Sequence, residues 1–224
     1  MYITHKNSVT KSVLSRTSLS KIALSTLLAL SISSNAAAYS EPQFQSAFQH
    51  FMAHSGQGDE EKAAEAFNTL LKQEPANPLL MAYAGAATSK LATTTIFPWK
   101  KMSYAEEGLA MLDKALQIAA NSTALHDSTP VILEVKFVAA NTFLAVPGFM
   151  NRSVRGSKLL SDVIDNPQLE KTHAGFRGAV WMRAAALALE QKRPDDAKRF
   201  LNNIIQNNAP QAEAARGMLK GVSQ

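Results

Sequence analysis

Trp181-Met182-Arg183-Ala184-Ala185-Ala186-Leu187-Ala188-Leu189-Glu190-Gln191-Lys192-Arg193-Pro194-Asp195-Asp196-Ala197-Lys198-Arg199-Phe200-Leu201 reads as two helices and the turn between them. Apolar residues recur at three- and four-residue spacing on both sides of the polar break. Pro194 suits a first helical position, and Asp195 and Asp196 place negative charge in the first turn, where the helix dipole favours it. A second stretch, Gly58-Asp59-Glu60-Glu61-Lys62-Ala63 followed by Phe67 and Pro75, opens a helix in the same way. From Ala185 to Ala197 is 12 residues, and from Phe51 to Ala63 is also 12. Paired helices at a fixed spacing are the mark of a repeat.

Working outward, the same periodicity predicts helices near 43–55, 59–73, 78–92, 103–120, 130–145, 152–165, 173–191 and 194–207, with a closing helix near 210–220. Ser103-x-x-Glu106 has the form of a capping box, and Thr129 precedes Pro130 at an expected first helical position. Pro75, Pro78, Pro147-Gly148, Pro167 and Pro210 fall where helices should stop. No alternating run of Val, Ile or Thr is convincing as a strand. The expected fold class is all-α, an αα-hairpin repeat solenoid of about four helix pairs with a C-terminal closing helix.

These residues carry a resemblance. The tetratricopeptide signature runs Trp-x2-Leu-Gly-x2-Tyr, then Ala-x3-Phe, then a proline. Gly58 to Pro75 resembles its second half, with Ala63-x3-Phe67. Trp181-x2-Ala184-Ala185-x2-Ala188, Ala197-x3-Leu201 and Pro210 resemble both halves, with alanine in place of Leu, Gly and Tyr. Met81-x2-Ala84-Gly85 and Gly108-x3-Leu112 form a weaker unit, with 23 residues between the two glycines. Phe137-x2-Ala140 with Gly156-x3-Leu160 is weaker still. The likeness spans about 43–210 and is strong only at its two ends, so an array of another helical-repeat type stays open. The resemblance implies an exported bacterial repeat protein that binds a protein or peptide partner, with no cofactor. It also implies a concave groove lined by the first helix of each pair. Helical phase puts Phe48, Met52, Ala82, Ala86, Met182, Arg183 and Ala186 on or near that groove. Ala63, Gly85, Gly108, Gly156, Ala185 and Ala197 are expected at helix crossings, and Phe67, Leu112, Leu160 and Leu201 between neighbouring pairs.

The N-terminus reads as an address. Lys6, Lys11, Arg16 and Lys21 precede an apolar run from Ile22 to Ile32 and Asn35-Ala36-Ala37-Ala38, which suits cleavage after Ala38. Residues 1–38 are therefore expected to be a cleaved signal peptide and 39–224 a single periplasmic domain, with no membrane span after cleavage. The chain has no cysteine, which excludes a lipoprotein anchor and disulfides. Without the four basic residues of the leader the charge of the chain is close to neutral, so its pI of 9.4 is no nucleic-acid footprint.

Departures from the repeat mark candidate sites, because insertions in such arrays map to loops on one face. Thr93 to Met102, containing Ile96-Phe97-Pro98-Trp99-Lys100, carries most of an eleven-residue excess, and Val146-Pro147-Gly148-Phe149-Met150 is a second apolar connection. Both join first to second helices in adjacent pairs and should emerge close together. Phe97, Trp99 and Phe149 either cover the ends of the helices or anchor a partner, with Trp99 and Lys100 as a docking ridge. Asn151 is expected as an N-cap, which sets Arg152 and Arg155 against the positive end of a helix. Either an acidic segment or phosphate of a partner relieves them, or they extend into water.

No catalytic, cofactor or metal site is expected. His50 and His54 lack a glutamate between them and a third ligand nearby, and glycine-rich phosphate loops, Gly-x-Ser-x-Gly and cysteine nucleophiles are missing. Three classes of function remain: an envelope scaffold or adaptor acting through the groove or through 93–102 and 146–150, a structural subunit of a periplasmic transporter or secretion complex, and an enzyme with an unrecognised site.

Overall fold

A computed structural model describes residues 39–53 and 58–222. The leader 1–38 and His54 lie outside the described residues. The described chain is all-α, with nine α-helices in the order α1 (Glu41–Met52), α2 (Asp59–Gln73), α3 (Pro78–Lys90), α4 (Pro98–Ala119), α5 (Val131–Ala145), α6 (Ser153–Ile164), α7 (Ala174–Glu190), α8 (Pro194–Gln206) and α9 (Ala212–Val222). Their starts follow from local chemistry. The Asn77 side chain accepts from the Leu79 and Leu80 amides ahead of Pro78, and the His173 ring accepts from the Phe176 amide. Gly58, at φ 71°, takes the left-handed turn into the acidic first turn of α2.

Helices pack in chain order, α1 on α2, α3 on α4, α5 on α6 and α7 on α8, with α9 closing on α8. Between pairs, α3 also meets α2 and α5, and α4 meets α5. Helix α3 is consequently covered all round, with every residue from Leu79 to Ser89 buried. Phe67, Leu112, Leu160 and Leu201 are all buried, as expected. The crossings are also where they were expected. A Cβ placed on Gly85 would stand 2.7 Å from the Gly108 carbonyl oxygen, and one on Gly156 would stand 2.9 Å from Leu144 Cγ. Only glycine lets these backbones touch.

Four expectations are corrected. Helix α4 begins at Pro98 rather than near 103, so Ser103 lies inside it and forms no capping box. The apolar excess at 93–102 is accordingly only half loop, because Pro98 at the first position extends the helix backwards over Trp99 to Met102. Pro130 is the N-cap of α5 and Val131 its first residue. Thr129–Pro130 instead forms β2, paired antiparallel with β1 (Leu125–His126), so the described residues contain a short β-hairpin. Its turn residues Asp127 and Ser128 both have positive φ, 43° and 66°, as a tight hairpin requires. Asn151, at φ 54°, ends a 3₁₀ turn, and Arg152 is the N-cap of α6.

Candidate functional site

The first helices of the four pairs line one groove of about 820 Å³. Its wall is aromatic and aliphatic: Phe44, Phe48, Phe51 and Met52 from α1, Phe137 and Val138 from α5, and Phe176 and Met182 from α7. Phe48, Met52, Met182, Arg183 and Ala186 therefore stand where helical phase placed them. Ala82 and Ala86 do not; both are buried in α3, whose groove contribution is Tyr83. Arg183 is held at the rim by Glu190 at 3.1 Å.

The floor is polar at one end. Glu134, 6% exposed, accepts the Tyr83 hydroxyl on one carboxylate oxygen at 2.8 Å and His126 Nδ1 on the other at 2.8 Å. On its far side His126 Nε2 lies 3.4 Å from Glu41 of α1, and the imidazole stands edge-on to Phe44 with ring centres 4.7 Å apart. The hairpin thus reaches over α5 and α1 and ties them to α3. Burial and the Glu134 carboxylate together push the Tyr83 phenol well above its ordinary pKa. Burial alone would lower the His126 pKa, but the hydrogen bond and charge of Glu134, with Glu41 behind, outweigh it and raise the value.

Asn141, Thr142, Gln45 and Gln211 put amide and hydroxyl groups along the same groove. The Gln211 side-chain nitrogen donates to the Gly175 carbonyl at 3.1 Å, while its oxygen is buried without a hydrogen-bond partner. Sequence reasoning missed Glu134, His126 and Tyr83. The signal available was a glutamate inside an otherwise apolar helix, Val131-Ile132-Leu133-Glu134-Val135, which requires a partner.

The second predicted surface is separate. Trp99 is 67% and Phe149 68% exposed, so neither covers a helix end. Phe97 is exposed as well, with its ring centre 5.0 Å from that of Trp99 and the Lys100 ammonium 5.5 Å away over its face. The two connections do converge, since Met102 and Phe149 line one cleft. Arg152 and Arg155 both pair with Asp113 of α4, Arg152 at 3.0 Å, and both stack on Phe143. The charge at this helix end is therefore met within the chain. His50 pairs with Asp59 at 2.9 Å. No group of three His, Cys, Asp or Glu residues among those described is placed to hold a metal ion.

No family model, curated protein or solved structure matches the chain. Among the described residues, no helix is long and apolar enough to cross a membrane.

Proposed function

We propose that the chain is a tetratricopeptide-like helical-repeat module of the bacterial cell envelope, which binds an apolar peptide or helix face of a partner protein in its groove. The observation that carries the reading is the groove itself, shared by α1, α3, α5 and α7, with aromatic rings from each of the four helices and scattered amides. Apolar pockets fix side chains of an extended or helical segment, and amides such as Asn141 satisfy its backbone. A binding role is also favoured over chemistry. Both oxygens of Glu134 are already engaged, by Tyr83 and His126, so this carboxylate is held as a structural acceptor rather than as a free base.

The test is photo-crosslinking in cells of the periplasm-exporting kind from two groove positions, Phe48 and Met182, with exposed Arg216 as a control. Adducts to one protein from both groove positions, mapping to an apolar segment, are expected. Adducts from Arg216 to the same protein in equal yield, or groove adducts to small molecules alone, would overturn the proposal.

A further inference from the structure

Nine large apolar residues are exposed among the described residues, and six of them, Ile96, Phe97, Trp99, Met102, Phe149 and Val154, belong to the two connections and the helix starts beside them. They do not form a groove. Every residue of α4 from Pro98 to Ser103 is exposed, so a turn and a half of helix stands free of the body. Ile96, 83% exposed, precedes it, and Phe149 lies across the cleft from Met102. Such a projecting apolar tip gains from an environment it can enter, rather than from one that must wrap round it.

Charge narrows the choice of environment. No acidic residue occurs between Glu74 and Glu106, a stretch that includes Lys90, Lys100 and Lys101. None occurs between Glu134 and Asp162 either, where Lys136, Arg152, Arg155 and Lys158 stand. Of the acids that follow the tip along α4, Glu106 and Asp113 line the cleft behind it, Glu107 is exposed one turn further on, and Asp113 is taken up by the two arginines. The projecting end therefore presents Trp, Phe and Ile beside Lys100 and Lys101, while Lys90 is turned back onto Phe51 and Lys136 and Lys158 pair with Asp162. Indole and phenyl rings settle at the boundary of headgroups and acyl chains, and lysines beside them attract anionic headgroups.

We infer that this edge docks on an anionic phospholipid surface, with Ile96, Phe97 and Trp99 entering the headgroup boundary and Lys100 and Lys101 meeting the headgroups. The contact is peripheral and sits apart from the groove, which leaves α1, α5 and α7 open to a partner.

Trp99 supplies its own probe, because the second tryptophan, Trp181, is 3% exposed. The full chain would be mixed with vesicles of equal parts phosphatidylglycerol and phosphatidylcholine, some carrying bromine on the upper acyl chain. Trp99 emission should shift to the blue and be quenched by the brominated lipid, and the effect should fade as salt is raised. Lys100→Gln with Lys101→Gln should weaken this association about tenfold, whereas Arg216→Gln should leave it unchanged. Reading the signal at Trp99 keeps any contribution of residues 1–38 out of the result. Bound vesicles without quenching of Trp99, or equal quenching by pure phosphatidylcholine, would overturn the inference. So would cross-linking from position 99 to a protein in the absence of lipid quenching, which would make the edge a protein contact.

Discussion

Gly108→Ala should destabilise the protein although alanine is the better helix former. At Gly108 an added Cβ would stand 2.7 Å from the Ser89 amide nitrogen and nearer still to the Gly85 carbonyl. Both are backbone atoms of a helix buried on every side, so neither can swing away. Restoring an ordinary contact of about 3.5 Å requires α3 and α4 to part by roughly 0.8 Å at Ser89 and by more at the Gly85 carbonyl, and gaps of that size forfeit at least about a quarter to a half of each neighbouring contact. Leu109, Leu112 and Ala84 flank the crossing and are fully packed. Overpacking of this kind costs about 1–3 kcal/mol, against about 1 kcal/mol gained from replacing glycine in a helix. Because the blocking atoms are backbone, the cost falls in the upper part of that range, at about 2–3 kcal/mol, and the net expectation is a loss of about 1–2 kcal/mol, or a fall in melting temperature of roughly 2–8 °C for a chain of this size. Gly217→Ala is the internal control. It lies on the solvent-facing side of α9 with nothing within 4 Å of an added Cβ, and should gain about 0.5–1 kcal/mol. Urea and thermal midpoints of the two variants should move in opposite directions. If Gly108→Ala is stabilised as much as Gly217→Ala, the helices do not touch at Gly85 and the pairing of α3 with α4 is wrong.

Trp99→Ala should shift the melting temperature by less than about 1 °C, because a side chain that projects into water has little packing to lose; a sharp fall would place the indole in a core. Glu134→Ala strands the Tyr83 hydroxyl and His126 together and should cost about 3 kcal/mol in urea denaturation, while Glu134→Gln, which still accepts from Tyr83, should cost less than half of that. Since His126 has a raised folded-state pKa, its contribution is complete below the unfolded value of about 6.5 and is lost as pH rises through the folded value. Stability should therefore decline as pH rises above about 6.5, and His126→Ala should flatten that part of the profile; an unchanged slope would show that the imidazole is not charged in the folded chain.

The sequence was most readable where one face of a helix carries the pattern. Helix α2 has the expected limits, and α8 and α9 are within two residues of them, because their polar faces meet water and the three-to-four spacing stays visible. It was least readable where helices are covered all round. Helices α3 and α5 have almost no apolar side to contrast with another, so phase could not separate Tyr83, which reaches the groove, from Ala82 and Ala86, which do not. The polar end of the groove was illegible for another reason. Tyr83, His126 and Glu134 come from three elements, with 51 residues between Tyr83 and Glu134, and their meeting depends on how neighbouring pairs stack. The start of α4 was misplaced because Ser103 and Glu106 make a plausible cap locally, while Pro98 five residues earlier makes an equally good one.

Where helix pairs are packed one on the next, the shape of the groove they share is set by what joins one pair to another. Here the joints differ. The first three pairs are fastened by a polar chain in which Glu134 of α5 is hydrogen-bonded to Tyr83 of α3 and to His126 of β1, and His126 stands 3.4 Å from Glu41 of α1, with Phe44 packed on both rings. Between the third and fourth pairs the groove wall is carried by Phe137 against Phe176, edge to face at 5.5 Å. A polar chain fixes directions and distances, whereas a ring contact tolerates sliding. Any adjustment of the groove to an occupant should therefore fall at the α5–α7 joint, with α1, α3 and α5 moving as one body. That division puts Met182 and Arg183 on the movable side of the groove, and Phe48 and Met52 on the fixed one.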